Sequence, residues 1–305
     1  RAIAVDHAAA VQALCADFDG SIDLIGFHGQ TVYHNASSDM QHPLGRQTIQ
    51  LGDAHYLAAA SAIDVVHNVR QADMDQGGEG APLAPVYHAA VIDAMHNLRP
   101  AVLVNIGGVA NLTCVSAADG SGLIGFDTGP GNALLDDFMM SRFAVDYDRD
   151  GTLAATGSAD QTILARWMQH PYFEQTWPKS LDRQDFAGLL TTAEFRRLAA
   201  ADAAATLTCF TAQTIAHAIG KLPVTPRSVF VAGGGRRNGT MMQYLAAILP
   251  MPVITDPGDG FDADMLEAEL MAFLAVRCHY RLPTSFPGTT GCRQPVSGGQ
   301  IARAR

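Results

Sequence analysis

The chain has 305 residues, 48% apolar and only 16% charged, which is material for a large buried core, most naturally two domains, and is unlike a disordered or fibrous chain. A formal charge of −10 with no Lys/Arg run excludes a nucleic-acid surface, so an anionic ligand has to be held by local devices. Five scattered cysteines without a Cys-x-x-Cys pair exclude a disulfide framework and a zinc site; no stretch reaches membrane-spanning length, no signal peptide is visible, and a reducing cytoplasm fits.

Residues 2–18 are Ala-rich and helix-like, beginning without Met, so residues are expected upstream. A short buried strand at 22–27 ends in the polar quartet His28-Gly29-Gln30-Thr31, at the strand end where α/β folds place ligands. A structural loop histidine explains the quartet equally well. Residues 48–53 repeat strand and Gly-Asp turn, a helix follows at 54–62, and 63–66 form another strand. Arg70 leads into the glycine-rich loop Gln76-Gly77-Gly78-Glu79-Gly80-Ala81-Pro82, whose proline opens a helix running to about Asn97.

A boundary is expected near Arg99-Pro100, giving domains 1–99 and 100–305. Residues 101–115 read as strand, Gly107-Gly108 turn, strand, a hairpin able to turn backbone N–H groups toward phosphates. The most constrained stretch is Gly125-Phe126-Asp127-Thr128-Gly129-Pro130-Gly131-Asn132. It reads as a strand-to-helix turn with one carboxylate, glycines letting main chain approach a ligand, and Asn132 as N-cap. A tight connection with a solvated Asp127 is the bland alternative. Tyr147-Asp148-Arg149-Asp150-Gly151 follows, then a mixed region with Pro171-Tyr172-Phe173 and Pro178-Lys179-Ser180. Residues 199–219 carry no Gly or Pro and end at Gly220, a long helix with a C-terminal stop. Residues 228–232 form a strand that runs into Gly233-Gly234-Gly235 and the cap Asn238, a second candidate for nucleotide contact. The last helix, 264–280, buries Leu266, Leu270, Phe273 and Leu274 and leaves Glu267 and Glu269 to solvent.

There is no His-Glu-x-x-His, no Gly-x-Ser-x-Gly elbow and no phosphate-binding Gly-x-x-x-x-Gly-Lys loop. Glycine turns at strand ends in two α/β halves, with one acid among them, match a sugar kinase of the actin and hexokinase type. In order, His28-Gly29-Gln30-Thr31, Gly77 to Leu83, Asn105 to Thr113, Phe126 to Asn132, Tyr147 to Gly151, Ala232 to Asn238 and Leu266-Glu267-Ala268 resemble the anhydro-N-acetylmuramic acid kinase family, down to Thr289-Thr290-Gly291.

The resemblance implies α/β architecture with two ribonuclease-H-like domains around a cleft, the first incomplete at its N-terminus. It implies an ATP- and Mg2+-dependent enzyme that opens the 1,6-anhydro ring with water and phosphorylates the freed O6. Asp127 is then the catalytic base; Glu267, Arg70, His28 and Gln30 hold the sugar; Gly107, Gly108, Gly129, Gly131, Gly233, Gly234 and Gly235 face the nucleotide; no residue is assigned to a metal. The partners implied are an amino sugar and ATP, with neither nucleic acid nor membrane, and a homodimer stays open. The family's opening Gly-Thr-Ser-x-Asp-Gly turn is missing from this chain, so weak ATP turnover by these residues alone is expected. A kinase for another small sugar or carboxylate, and a nucleotide-binding regulator of the actin and Hsp70 type, remain the alternatives.

Overall fold

A computed structural model describes residues 2–36, 44–94, 99–117, 120–256, 262 and 265–304. Its strands are β1 (Leu24–Gly26), β2 (Gln30–Asn35), β3 (Gln47–Leu51), β4 (Asp64–His67), β5 (Ala101–Ile106), β6 (Val109–Val115), β7 (Leu123–Pro130), β8 (Ser228–Ala232), β9 (Val253–Ile254) and β10 (Gln300–Ala302). The chain divides into two compact units, Arg1–Tyr87 with Met265–Arg305, and His88–Asp264.

In the first unit β1 runs parallel to β4, and β10 lies antiparallel on the other side of β4, while β2 and β3 form a separate ribbon. The helices Ala2–Ala16 and Ala54–Ser61 pack together over Phe27, Leu57 and Val65. Asp53 caps the second of them by accepting from the Tyr56 N–H at 2.9 Å. The helix Leu266–His279 lies against β1 so closely that a Cβ on Gly26 would stand 2.1 Å from the Met271 carbonyl oxygen. Glycine at that strand position is what allows the approach. The sequence reading gave this helix and everything after Arg99 to the second half. Helix and β10 instead return to the first unit, because their partners are β1 and β4, pairings that no local pattern records.

The second unit carries a five-strand sheet in the order β7-β6-β5-β8-β9. The meander β5–β6–β7 is antiparallel, and β8 and β9 add in parallel on the other side of β5. That is the ribonuclease-H-like strand order. Helix Ala200–Gly220 is buried along most of its length, facing Val104, Phe126 and Val231 on one side and Leu134, Trp167 and Phe173 on the other. Its buried threonines cost little, because the hydroxyls of Thr206 and Thr208 donate to the carbonyls of Asp202 (2.7 Å) and Ala204 (2.8 Å) one turn back. Phe210, fully buried on this helix, contributes about 1.5–3 kcal/mol by leaving water. Asn238 caps helix Gly239–Ile248 as expected, accepting from the Met241 N–H at 2.9 Å. The helix ends expected at Asn97 and Asp264 lie outside the described residues. Among the described residues no helix is long and apolar enough to cross a membrane.

Candidate active site

The strand β7 stays in register with β6 as far as Pro130, with one irregularity between Ala110 and Asn111, so Asp127 sits in an edge strand and not in a turn. Three hydrogen bonds to residues 172–181 fix it. Its N–H donates to the Lys179 carbonyl (3.2 Å), its carbonyl accepts from the Tyr172 hydroxyl (2.6 Å), and its Oδ2 accepts from the Leu181 N–H (2.8 Å). The neighbouring Thr128 is buried and donates to the Ala110 carbonyl at 3.1 Å, holding the end of the strand against β6.

The glycines separate into two kinds. The N–H groups of Gly131 and Asn132 already donate to the carbonyls of Gly108 (2.9 Å) and Gly107 (2.8 Å), so the expected cradle of N–H groups at this turn is turned inward. Asn132 takes helical angles, and its Nδ2 donates to the Ile106 carbonyl at 3.2 Å in place of capping the helix Ala133–Phe143. A Cβ would stand 2.7 Å from Thr214 Oγ1 at Gly129, 2.2 Å from the Gly107 oxygen at Gly131, 2.5 Å from Asn105 Oδ1 at Gly233 and 2.3 Å from Ile106 Cγ2 at Gly235. These are close-packing positions. By contrast a Cβ at Gly107 or Gly108 would meet nothing closer than 3.6 Å, and one at Gly234 would meet nothing within 4 Å.

Gly234 borders a cavity of about 380 Å³ lined also by Asn132, Asp136, Arg149, Gly235 and Arg237. Burial pushes the Asp136 carboxyl up to about 6, with Asp137 and Asp146 adding to the rise and Arg183 opposing it. The motif around Asp148 is structural at its core. The Asp148 carboxylate accepts from the N–H groups of Leu153 (2.9 Å) and Ala154 (3.0 Å), and Gly151, at φ 72°, packs against Asn238 and passes its carbonyl to the Thr240 hydroxyl.

In the first unit, Arg70 donates through Nε (3.0 Å) and its second terminal nitrogen (2.9 Å) to His28 Nε2, and through the other to the Gly80 carbonyl (2.8 Å). With Nε2 accepting, His28 carries its proton on Nδ1 and donates it to the Gly29 carbonyl at 2.8 Å. Burial and then the Arg70 charge hold His28 below the usual histidine range, against the Gly29 carbonyl and Glu267, which act to raise it. Burial likewise lowers Arg70, while Asp73 favours its charge. Glu267 is exposed in the first turn of its helix. Gln30 is exposed at the start of β2, a strand not expected from sequence, and its amide donates to the Thr31 carbonyl at 3.3 Å. Glu269, expected in solvent, is part-buried and accepts from the Tyr87 hydroxyl.

Two sets of residues were missed. Asp73 is buried and accepts from the Gly80 N–H (2.7 Å) and the Thr290 hydroxyl (2.6 Å), fixing the glycine loop whose Gly80 carbonyl holds Arg70. Only its position after Arg70 could have marked it. The segment 172–181, which closes on Asp127, read as a mixed region although its prolines and aromatics announced an ordered, non-regular strap.

The anhydro-N-acetylmuramic acid kinase family model matches residues 2–304. The anhydro-N-acetylmuramic acid kinase of Rhodopseudomonas palustris (strain HaA2) is 47% identical over 307 residues, covering 99% of this chain and 80% of that protein. Those of Bradyrhizobium diazoefficiens and Phenylobacterium zucineum are 45% and 43% identical, each over 99% of this chain and 80% of their own lengths.

Proposed function

The chain belongs to the anhydro-N-acetylmuramic acid kinase family, and on that premise we propose that it opens the 1,6-anhydro ring of anhydro-N-acetylmuramic acid with water and phosphorylates the freed O6 from ATP in cell-wall recycling. The observation that carries this is the family match over residues 2–304; geometry supports the roles of individual residues.

Asp127 is the general base. Breaking the bond from C1 to O6 builds positive charge on C1, and a carboxylate there both takes the proton of the attacking water and stabilises that carbon. Hydrogen bonds to its N–H, carbonyl and Oδ2 from the strap 172–181 supply the rigidity that such an approach needs. Arg70 binds the acid group of the sugar. Its hydrogen bonds run to a neutral imidazole and a carbonyl, and the buried Asp73 favours its charged form, so a charged guanidinium is available to a ligand carboxylate. Glu267 accepts from sugar hydroxyls, and His28 and Gln30 complete the sugar contacts.

ATP fits the second unit at the open glycines. Main chain at Gly107, Gly108 and Gly234 can be approached where any side chain would intrude, and the cavity beside Gly234 carries Arg149 and Arg237 among the carboxylates Asp136, Asp148 and Asp150. With the nucleotide bound, Mg2+ would supply charge neutralisation at the phosphates. Among the described residues no group of three His, Cys, Asp or Glu could hold a metal alone, so the ion is proposed to arrive on the ATP phosphates. A cytoplasmic location is part of the proposal, supported by five unpaired cysteines.

The test is turnover of the anhydro-sugar with ATP in water enriched in oxygen-18, followed by mass spectrometry. One heavy oxygen at C1 and none in the phosphate ester is expected. Label in the phosphate, or turnover of other sugars but not this one, would overturn the reading.

A further inference from the structure

We propose that Lys179 is a positioning residue for Asp127: the strap 172–181 that carries it tethers Asp127 through main chain and sets the Lys179 ammonium beside the Phe126–Asp127 segment; the proposal rests on Asp127 being the base.

The strand β7 is the outer strand of its sheet among the described residues, and at Asp127 its edge is met by this strap. The strap is anchored twice. Trp177 stacks on Phe126, the residue before Asp127, with centroids 5.5 Å apart and planes 10° apart. Tyr172 and Phe173 are buried, and Phe173 stacks on Phe186. Lys179 then folds back over its own anchor. Its Nζ donates to the Tyr172 carbonyl at 3.0 Å and stands 4.3 Å above the Tyr172 ring and 5.5 Å from the Phe126 ring. A carbonyl and two ring faces thus hold the charge, where a carboxylate would have neutralised it.

The backbone of the same residue receives the Asp127 N–H, so charge and tether move together. The charged and titratable groups around this pair are Tyr172 and Glu174 on the strap, His217 of helix Ala200–Gly220, which stands 3.4 Å from Glu174 and 3.3 Å from the Phe173 carbonyl, and Lys221 after that helix. Burial and Lys221 disfavour the ammonium, while Glu174 and Asp127 favour it. The attraction is mutual. A partly desolvated cation is screened less than one in water, and what it gains from the carboxylate the carboxylate gains from it. A base that must be unprotonated before water attacks needs that bias.

Three variants of the intact enzyme test this, read by kcat and KM across pH together with thermal unfolding. Lys179→Met keeps the stem over the Tyr172 ring and removes the charge; the acid limb of kcat/KM is expected to move up by about half a unit, with KM for sugar and ATP unchanged. Lys179→Arg restores the limb. Tyr172→Phe removes the hydroxyl bond to the Asp127 carbonyl but leaves the ring under the ammonium, so kcat falls several-fold with the limb in place. An unmoved limb in a folded Lys179→Met enzyme overturns the proposal, as does a rise in KM for ATP at constant kcat. Asp127→Asn in the same series separates the two readings. If it stays within a few-fold of wild type, the base assignment has failed and Lys179 falls with it; if it loses activity while the Lys179→Met limb stays still, only the role of Lys179 has failed.

Discussion

The surroundings of Asp127 and of Arg70 are built in opposite ways. Asp127 is held by two main-chain partners, the Lys179 carbonyl and the Leu181 N–H, and by the Tyr172 hydroxyl, with neighbouring glycines pressed against backbone and helix. Arg70 is held by a side chain, His28, and by a carbonyl that is in turn set by the buried carboxylate of Asp73. A group placed by peptide atoms and a tyrosine hydroxyl keeps its position as pH changes through the neutral range. A group fixed by a titratable ring carries that ring's pH dependence into ligand binding. Chemistry in the first region and recognition in the second is a division that rates and affinities can break.

The largest expected effect is at Asp127. Asp127→Asn keeps shape and removes the proton acceptor, so kcat is expected to fall by about 10²–10⁴ while calorimetric binding of the anhydro-sugar survives. A mutant within a few-fold of wild type would move the base elsewhere. Gly131→Ala tests whether the same region is as tightly built as its geometry implies. With the new methyl 2.2 Å from the Gly107 oxygen, about 1–3 kcal/mol of stability should be lost in denaturant unfolding. Full stability in that variant would mean that the backbone there is adaptable and the contrast with Arg70 is false.

On the recognition side, Arg70→Met is expected to raise KM for the sugar roughly 10- to 100-fold with little change in kcat, since a charged hydrogen bond contributes about 1.5–3 kcal/mol. A smaller effect should come from acid. His28 stays neutral below the usual histidine range, so its bonds to Arg70 persist until pH falls through that lowered value; protonation then sets a cation against the guanidinium. KM for the sugar should therefore rise several-fold on the acid side, and His28→Gln should flatten that rise. A wild-type KM independent of pH down to the stability limit would show that His28 does not orient Arg70.

Much of this was legible in the sequence, for a physical reason. Strand, glycine turn and capped helix are local, so β5, β6, β8, the cap Asn238 and the glycine runs could be placed from residue pattern alone. What lies opposite each glycine is not local. Gly129 and Gly234 look alike in sequence, yet Thr214 of a helix more than eighty positions on stands against the first and nothing stands against the second. The same limit explains Asn132, whose amide found the Ile106 carbonyl in place of a helix N-terminus, and Glu269, which found Tyr87. β10 and the helix before it could not be assigned to the first unit without knowing their partners in β4 and β1.

That distinction leads to the smallest effect and the sharpest sign. Gly234 has no atom within 4 Å of where a Cβ would stand, and its φ is outside the left-handed region, so alanine fits the folded chain. Replacing glycine where the backbone permits it restricts the unfolded state and stabilises by about 0.4–1 kcal/mol. The methyl would however project where the proposed nucleotide approaches main chain, beside the cavity that Gly234 borders. Gly234→Ala should therefore raise the melting temperature slightly while raising KM for ATP several-fold and leaving KM for the sugar alone. Gly131→Ala, against packed backbone, should lower stability. Opposite signs from two glycines in one unit would separate a ligand-facing position from a packed one. If Gly234→Ala binds ATP as well as wild type does, the nucleotide does not approach there, and Gly107 and Gly108 are left as the open glycines to test.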